Sequence, residues 1–90
     1  MDKTVITVVG KDTTGIIAKI STFAFEHNAN ILDISQTIRM GIFNMMMIVD
    51  TGASNKEFLT LSKELEELGT KIGVIIKLQR EDIFESMQRI

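Results

Sequence analysis

The stretch of this chain best suited to holding a small molecule is Val9-Gly10-Lys11-Asp12-Thr13-Thr14-Gly15-Ile16-Ile17. It joins a β-branched run to an amphipathic pattern, so it reads as a strand-to-helix turn, with Gly10 ending the strand and letting the chain turn sharply. Asp12, Thr13 and Thr14 are all candidate N-caps. Gly15 removes a side chain from the first helical turn and so opens its amides to a ligand. Those amides lack partners within the helix and point outward, which suits a carboxylate or phosphate. Asp12 either occupies some of these donors as a cap or faces a ligand ammonium. A zwitterion, with its carboxylate on the amides and its ammonium near Asp12, meets both demands. A plain capped helix entry with glycines for geometry fits the same residues.

Other chemistries fare worse. A Walker loop needs a lysine and Ser/Thr after its last glycine, and here Ile16-Ile17 follow Gly15. Met45-Met46-Met47, with Met40 nearby, offers soft thioethers, but strand alternation sends Met46 to the face opposite Met45 and Met47, so core filling is the better reading. The single histidine, His27, falls on the buried stripe of a helix near its C-terminal end and reads as a packed or capping residue. Glu81, Asp82 and Glu85 read as acids serving a helix start. With no cysteine there is no disulfide, thiolate site or cysteine nucleophile. A net charge of -2 argues against a binder of phosphate backbones. No catalytic residue, metal or cofactor is expected.

The elements that must position the turn follow from periodicity. Ninety residues, 44% of them hydrophobic, suit one small domain. Thr4 to Val9 is apolar on both faces, as in a central strand. Ile16, Ile17, Ile20, Phe23, Ala24 and His27 mark a helix stripe that leaves Phe25 on the far side. The helix stops near Asn28-Ala29-Asn30, where asparagine tolerates left-handed backbone. Asn30 to Met40 alternates, with Leu32, Ile34, Ile38 and Met40 on one face, and Gln36 intruding. Gly41 reverses the chain into a third strand, Ile42 to Asp50, giving an antiparallel hairpin. Ser54 and Glu57 make a capping box for a second helix lined by Phe58, Leu61, Leu65 and Leu68, with Gly69 as its C′ residue. Ile72 to Leu78 is a fourth strand, and Glu81 to Ile90 a short terminal helix.

This order predicts an α+β, ferredoxin-like βαββαβ fold: a four-stranded antiparallel sheet in the order 4-1-3-2, with two helices on one face plus the short C-terminal helix. Central strands apolar on both faces, an uncovered sheet face and an open edge at the second strand together suggest a symmetric dimer.

The strand ending in Gly10, the Lys11-Asp12-Thr13-Thr14-Gly15-Ile16 entry, Asn28-Ala29-Asn30-Ile31 and Ile34 resemble the ACT domain, a regulatory module that binds small molecules. With Ile31-Leu32-Asp33-Ile34-Ser35-Gln36-Thr37 and Glu81-Asp82-Ile83-Phe84-Glu85, the whole chain resembles free-standing, single-domain ACT proteins (UPF0237-like) related to the glycine cleavage system regulator. The resemblance implies that residues 1–80 are an ACT domain and 81–90 its C-terminal extension. It implies a ligand, usually an amino acid, held between two ACT domains by the loop after the first strand and the start of the second. Carried onto this chain, the ligand-binding residues are Asp12, Thr13, Thr14, Gly15, Ile16, Asn28, Asn30 and Ile31.

The expected function is therefore a non-catalytic regulatory ACT domain that binds a small metabolite at a homodimer interface. With no attached enzyme or DNA-binding domain, it would act in trans on a protein partner. The alternative is a constitutive assembly module without a ligand. An acylphosphatase shares the topology but uses an arginine in the loop after its first strand, where this chain has only Lys11. A sheet-face RNA binder needs aromatic residues and a basic surround, whereas the third strand offers Phe43 alone. No targeting or membrane segment is evident, so the cytoplasm is the expected compartment, with neither nucleic acid nor membrane as a partner.

Overall fold

The computed structural model describes residues 2–11, 14–54 and 56–80. Its elements run β1 (Lys3–Lys11), α1 (Ile16–Glu26), β2 (Asn30–Arg39), β3 (Ile42–Asp50), α2 (Phe58–Ile72) and β4 (Val74–Arg80). The sheet is ordered β2-β3-β1-β4 with every neighbouring pair antiparallel. This is the expected ferredoxin-like topology, and the two strands apolar on both faces are the two in the centre. The terminal helix expected over residues 81–90 lies outside the described residues.

Ladder register divides the sheet into two faces, because directly opposed residues share a side. Ile6 and Val8 of β1, Phe43, Met45, Met47 and Val49 of β3, and Val74, Ile76 and Leu78 of β4 face the helices. They pack with Ile16 and Ile20 of α1 and Leu61 and Leu65 of α2 into one buried core. Burial of each such side chain contributes about 1.5–3 kcal/mol, so this single layer carries the fold. The three methionines divide as alternation requires: Met45 and Met47 are core, and Met46 lies on the other face. That other face leaves Val9 45%, Ile42 49% and Ile75 64% exposed.

Several local expectations are corrected by packing. Gly10 does not end β1; it lies within the strand, opposite Phe43 and Val74. A Cβ there would stand 2.7 Å from Val74 Cγ1, so glycine serves the approach of β4. Ser54 and Glu57 do not form a capping box. The N-cap of α2 is Glu57 itself, without a side-chain cap bond, while Ser54 Oγ accepts from the Lys56 amide at 3.3 Å in a local turn. Gly69 is not the C′ residue; α2 runs on to Ile72 and closes at Gly73, whose φ of 84° is left-handed. Gly69 is buried within the helix, where a Cβ would come 2.7 Å from the Val74 carbonyl oxygen. The fourth strand accordingly starts at Val74 rather than Ile72.

β2 is also corrected. A bulge between Ile31 and Asp33 leaves Leu32 without a ladder partner and brings Ile31, opposite Val49, onto the helix side with Ile34 and Ile38. Met40 belongs to the reversal, not the strand: Met40 and Gly41 have φ of 53° and 79°, as a two-residue turn of primed type demands.

Candidate functional site

The expected binding residues come from two connections, and α1 separates them. At its start, Gly15 is the N-cap, with a φ of 87°. The expectation of a side-chain cap from Thr14 is not met, because the capping position is held by a residue with no side chain. Among the described residues a Cβ on Gly15 would meet nothing within 4 Å, so the glycine is required by its backbone conformation and leaves open space there over the first turn. Thr14 is exposed and Ile16 is buried in the core, so Ile16 offers its backbone rather than its side chain. Asp12 and Thr13 lie outside the described residues.

At the other end of α1, Asn28 adopts the left-handed conformation expected of it, with a φ of 56°, and its amide donates to the Phe25 carbonyl at 3.2 Å. Ala29 N donates to Ala24 O at 2.8 Å, closing the helix. Asn30 opens β2, exposed, opposite Asp50, and Ile31 is half-buried opposite Val49.

These two groups do not meet within one chain. An α-helix of 11 residues is about 16 Å long. The sheet says the same: Asn30, Asp50 and Lys3 form one end of the ladder, while Arg39, Ile42 and Lys11 form the other. The connection into α1 leaves from the Lys11 end, and Asn30 stands at the Lys3 end, roughly 26 Å away along β1 at about 3.3 Å per residue. Two of the surface grooves among the described residues lie elsewhere. One of about 260 Å³ on the uncovered sheet face is lined by Thr7, Val9, Ser35, Thr37, Asn44 and Met46, among others. The second, of about 330 Å³, runs along α1 between Ala18 and Glu26, with Leu68 of α2. Neither is lined by any of the eight expected residues.

Polar chemistry elsewhere is structural. His27 stacks on Phe23 with ring centroids 3.9 Å apart. Its Nδ1 is 2.8 Å from the Phe23 carbonyl oxygen and its Nε2 2.8 Å from Glu64 Oε2, so it ties the end of α1 to α2. The Lys56 ammonium donates to the other oxygen of Glu64. That bond, seconded by His27, holds the Glu64 carboxyl below its ordinary value against a smaller opposing effect of desolvation. Asp50 accepts from the amides of Gly52 at 2.9 Å and Asp2 at 3.1 Å; the Gly52 bond does most to lower its carboxyl pKa. The roles of Gly10 and Gly69 were missed by sequence reasoning, since their partners lie on other elements. No helix among the described residues is long and apolar enough to cross a membrane.

Comparison with known proteins places this geometry in context. A family model described as the ACT domain matches residues 3–79. A UPF0237 protein of Bifidobacterium longum is 57% identical over 90 residues, covering 100% of both chains. A UPF0237 protein of Methanocaldococcus jannaschii is 51% identical over 90 residues, again covering 100% of both. Among solved structures, an ACT domain protein from Streptococcus pneumoniae superposes with a TM-score of 0.82 at 42% identity, covering 93% of this chain and 94% of that one. A structure described as a candidate glycine cleavage system transcriptional repressor superposes with a TM-score of 0.75 at 26% identity, covering 88% of this chain and 45% of that one.

Proposed function

The chain belongs to the ACT domain family, and from that premise we propose that it is a non-catalytic regulatory domain. It binds a small metabolite, an amino acid, between two copies of itself. Residues 1–80 make the domain, and 81–90 are its extension. The domain works in the cytoplasm and acts in trans on a protein partner.

The observation that carries this reading is the separation of the candidate residues. Thr14, Gly15 and Ile16 lie at one end of α1, and Asn28, Asn30 and Ile31 at the other. No small ligand bridges both groups in one chain, but a two-fold pair that sets one group against the partner's other group completes the site twice. The chemistry of each half fits a zwitterion. The start of α1 offers backbone amides and the positive end of the helix dipole to a carboxylate, beneath the open space at Gly15. The exposed carboxamides of Asn28 and Asn30 supply acceptors for an ammonium and donors for a carboxylate. Regulation then follows from linkage: a ligand that contacts both copies stabilises the paired arrangement, and any partner that prefers this arrangement binds more tightly.

Calorimetric titration of the purified chain with each amino acid tests the proposal. Heat is expected from one amino acid or a narrow class, at one ligand per chain, and loss of that heat is expected in Gly15→Val. Silence from every amino acid overturns the ligand reading. If the dimer persists in that case, the constitutive assembly module is the function, a reading that the exposed Val9, Ile42 and Ile75 favour.

A further inference from the structure

Val5 is buried on the side of the sheet that faces away from α1 and α2. Alternation puts Ile6 and Val8 of β1 into the core with the two helices, so Val5, Thr7 and Val9 face the other way. Val5 is nevertheless only 2% exposed, whereas Val9, the same residue type on the same strand and side, is 45% exposed. Ladder partners do not account for the difference. Val5 stands between Ile48 and Gln79, and Val9 between Asn44 and Ile75, so each has one apolar and one amide neighbour. Such neighbours shield the flanks of a valine and leave its outer methyl groups open, as at Val9. A further layer therefore lies over Val5 and stops short of Val9. The burial is graded in the same sense: Ile48, Gln79, Thr7 and Met46 are half-buried, while Val9, Ile42 and Ile75 toward the Lys11 end are exposed. The groove of about 260 Å³ on this side reaches Thr7 and Met46 but not Val5 or Ile48.

We propose that residues 81–90 form a helix that crosses this side of the sheet over the row of Gln79, Val5, Ile48 and Asp33, with Ile83, Phe84, Met87 and Ile90 turned toward the strands. The row is continuous through the ladder from β4 to β2. β4 ends at Arg80, opposite Thr4, so residue 81 leaves the sheet one strand away from Val5. At about 100° per residue the four apolar side chains share one helical stripe. A helix of ten residues is about 15 Å long, and the row from β4 to β2 crosses three strand spacings, about 14 Å. Charge agrees with this seat. On this side Lys3 lies on one flank of the row and Lys77 on the other, and the segment carries Glu81, Asp82 and Glu85 in its first half.

Other seats and other occupants fit less well. On the helix side, Phe25 and Leu59 are 83% and 77% exposed, so the outer surfaces of α1 and α2 show no such cover. Of the remaining segments outside the described residues, 12 and 13 belong to the opposite end of β1, and 1 and 55 are single residues. With its own C-terminal segment over the Lys3 half, this face offers a protein partner only the Lys11 half, where Val9, Ile42 and Ile75 are exposed.

Solution NMR of the full chain tests the contact. Nuclear Overhauser effects are expected between the Phe84 ring and the Val5 methyl groups, and between the Met87 methyl and Ile48. A mixture of labelled and unlabelled chains separates contacts within one chain from contacts between copies. Because the chain has no cysteine, thiol labelling gives a second readout. In the folded chain Val5→Cys is expected to react at least about tenfold more slowly than Val9→Cys. Adding Phe84→Asp is expected to raise the Val5→Cys rate at least about tenfold and to leave the Val9→Cys rate unchanged. Thermal melts by circular dichroism check that each variant is folded. Equal labelling at the two positions, or a Val5→Cys rate indifferent to Phe84→Asp, overturns the proposal. Val5 contacts seen only between chains overturn it as well and make a second copy the cover. None of these outcomes depends on a ligand, so the amino-acid titration can fail while the contact stands.

Discussion

Single residues here are constrained by different physics even when they are chemically alike. Gly15 and Gly10 flank the same turn. Gly15 is fixed by its left-handed backbone, with free space above it, whereas Gly10 has no room for a Cβ beside Val74. Gly15→Ala should cost about 1–2 kcal/mol of stability, the ordinary strain of an L-residue in that conformation. Gly10→Ala should cost about 1–3 kcal/mol by overpacking. Gly10→Ala should cost less in a Val74→Ala background than in the wild type, whereas Gly15→Ala should cost the same in both, as urea unfolding of the three single and two double variants would show. Glu64 makes a pH prediction. Its carboxyl is held below its ordinary value chiefly by Lys56, then by His27. The folded form therefore binds a proton less readily than the unfolded chain. The resulting stability is complete above the ordinary carboxylate value and is lost as pH falls through the lowered one. Unfolding midpoints measured from pH 6 down to pH 3 should fall less steeply in Glu64→Gln than in the wild type.

At the scale of elements, periodicity located every described helix and strand, but chemistry at their ends misled. Ser54 and Glu57 have the spacing of a capping box, yet α2 begins at Phe58, after Glu57. Gly69 sits where a helix could stop, yet Gly73 stops it. Sequence spacing cannot separate these two glycines, because one answers to backbone conformation and the other to the nearness of β4. They should respond differently to substitution. Gly73→Asn, a residue that tolerates left-handed backbone, should lower stability by less than about 1 kcal/mol. Gly69→Ala should cost about 1–3 kcal/mol, because its Cβ meets a backbone carbonyl that cannot rotate away. Thermal denaturation of the two variants decides between these costs. The strict alternation of β2 was likewise only partly right. The bulge at Leu32 adds one residue and so turns Ile31 toward the core, a shift that composition does not announce.

At the scale of the whole molecule, the four-stranded topology and its order were legible, because hydrophobic period and connection length leave few alternatives. The candidate site was legible only as a set of residues. Its members were collected from the turn before α1 and the turn after it, and nothing in their spacing says that a rigid helix of 11 residues holds them apart. Under the proposed function that separation makes binding and association interdependent, so dilution is a test in itself. An amino acid held between two copies, as proposed, should shift sedimentation toward a dimer, and its apparent affinity should fall as protein concentration is lowered below the dimer dissociation constant. The amino-acid sequence by itself determined the element order, the two apolar faces of the central strands and the left-handed turn at Asn28, since each is written in patterns a few residues long. Only the tertiary structure decided which glycines are forced by contact, where β2 slips by one residue, and that the two halves of the candidate site lie at opposite ends of the sheet. Those facts depend on distances between segments remote in sequence, and packing fixes such distances only once all the elements are in place.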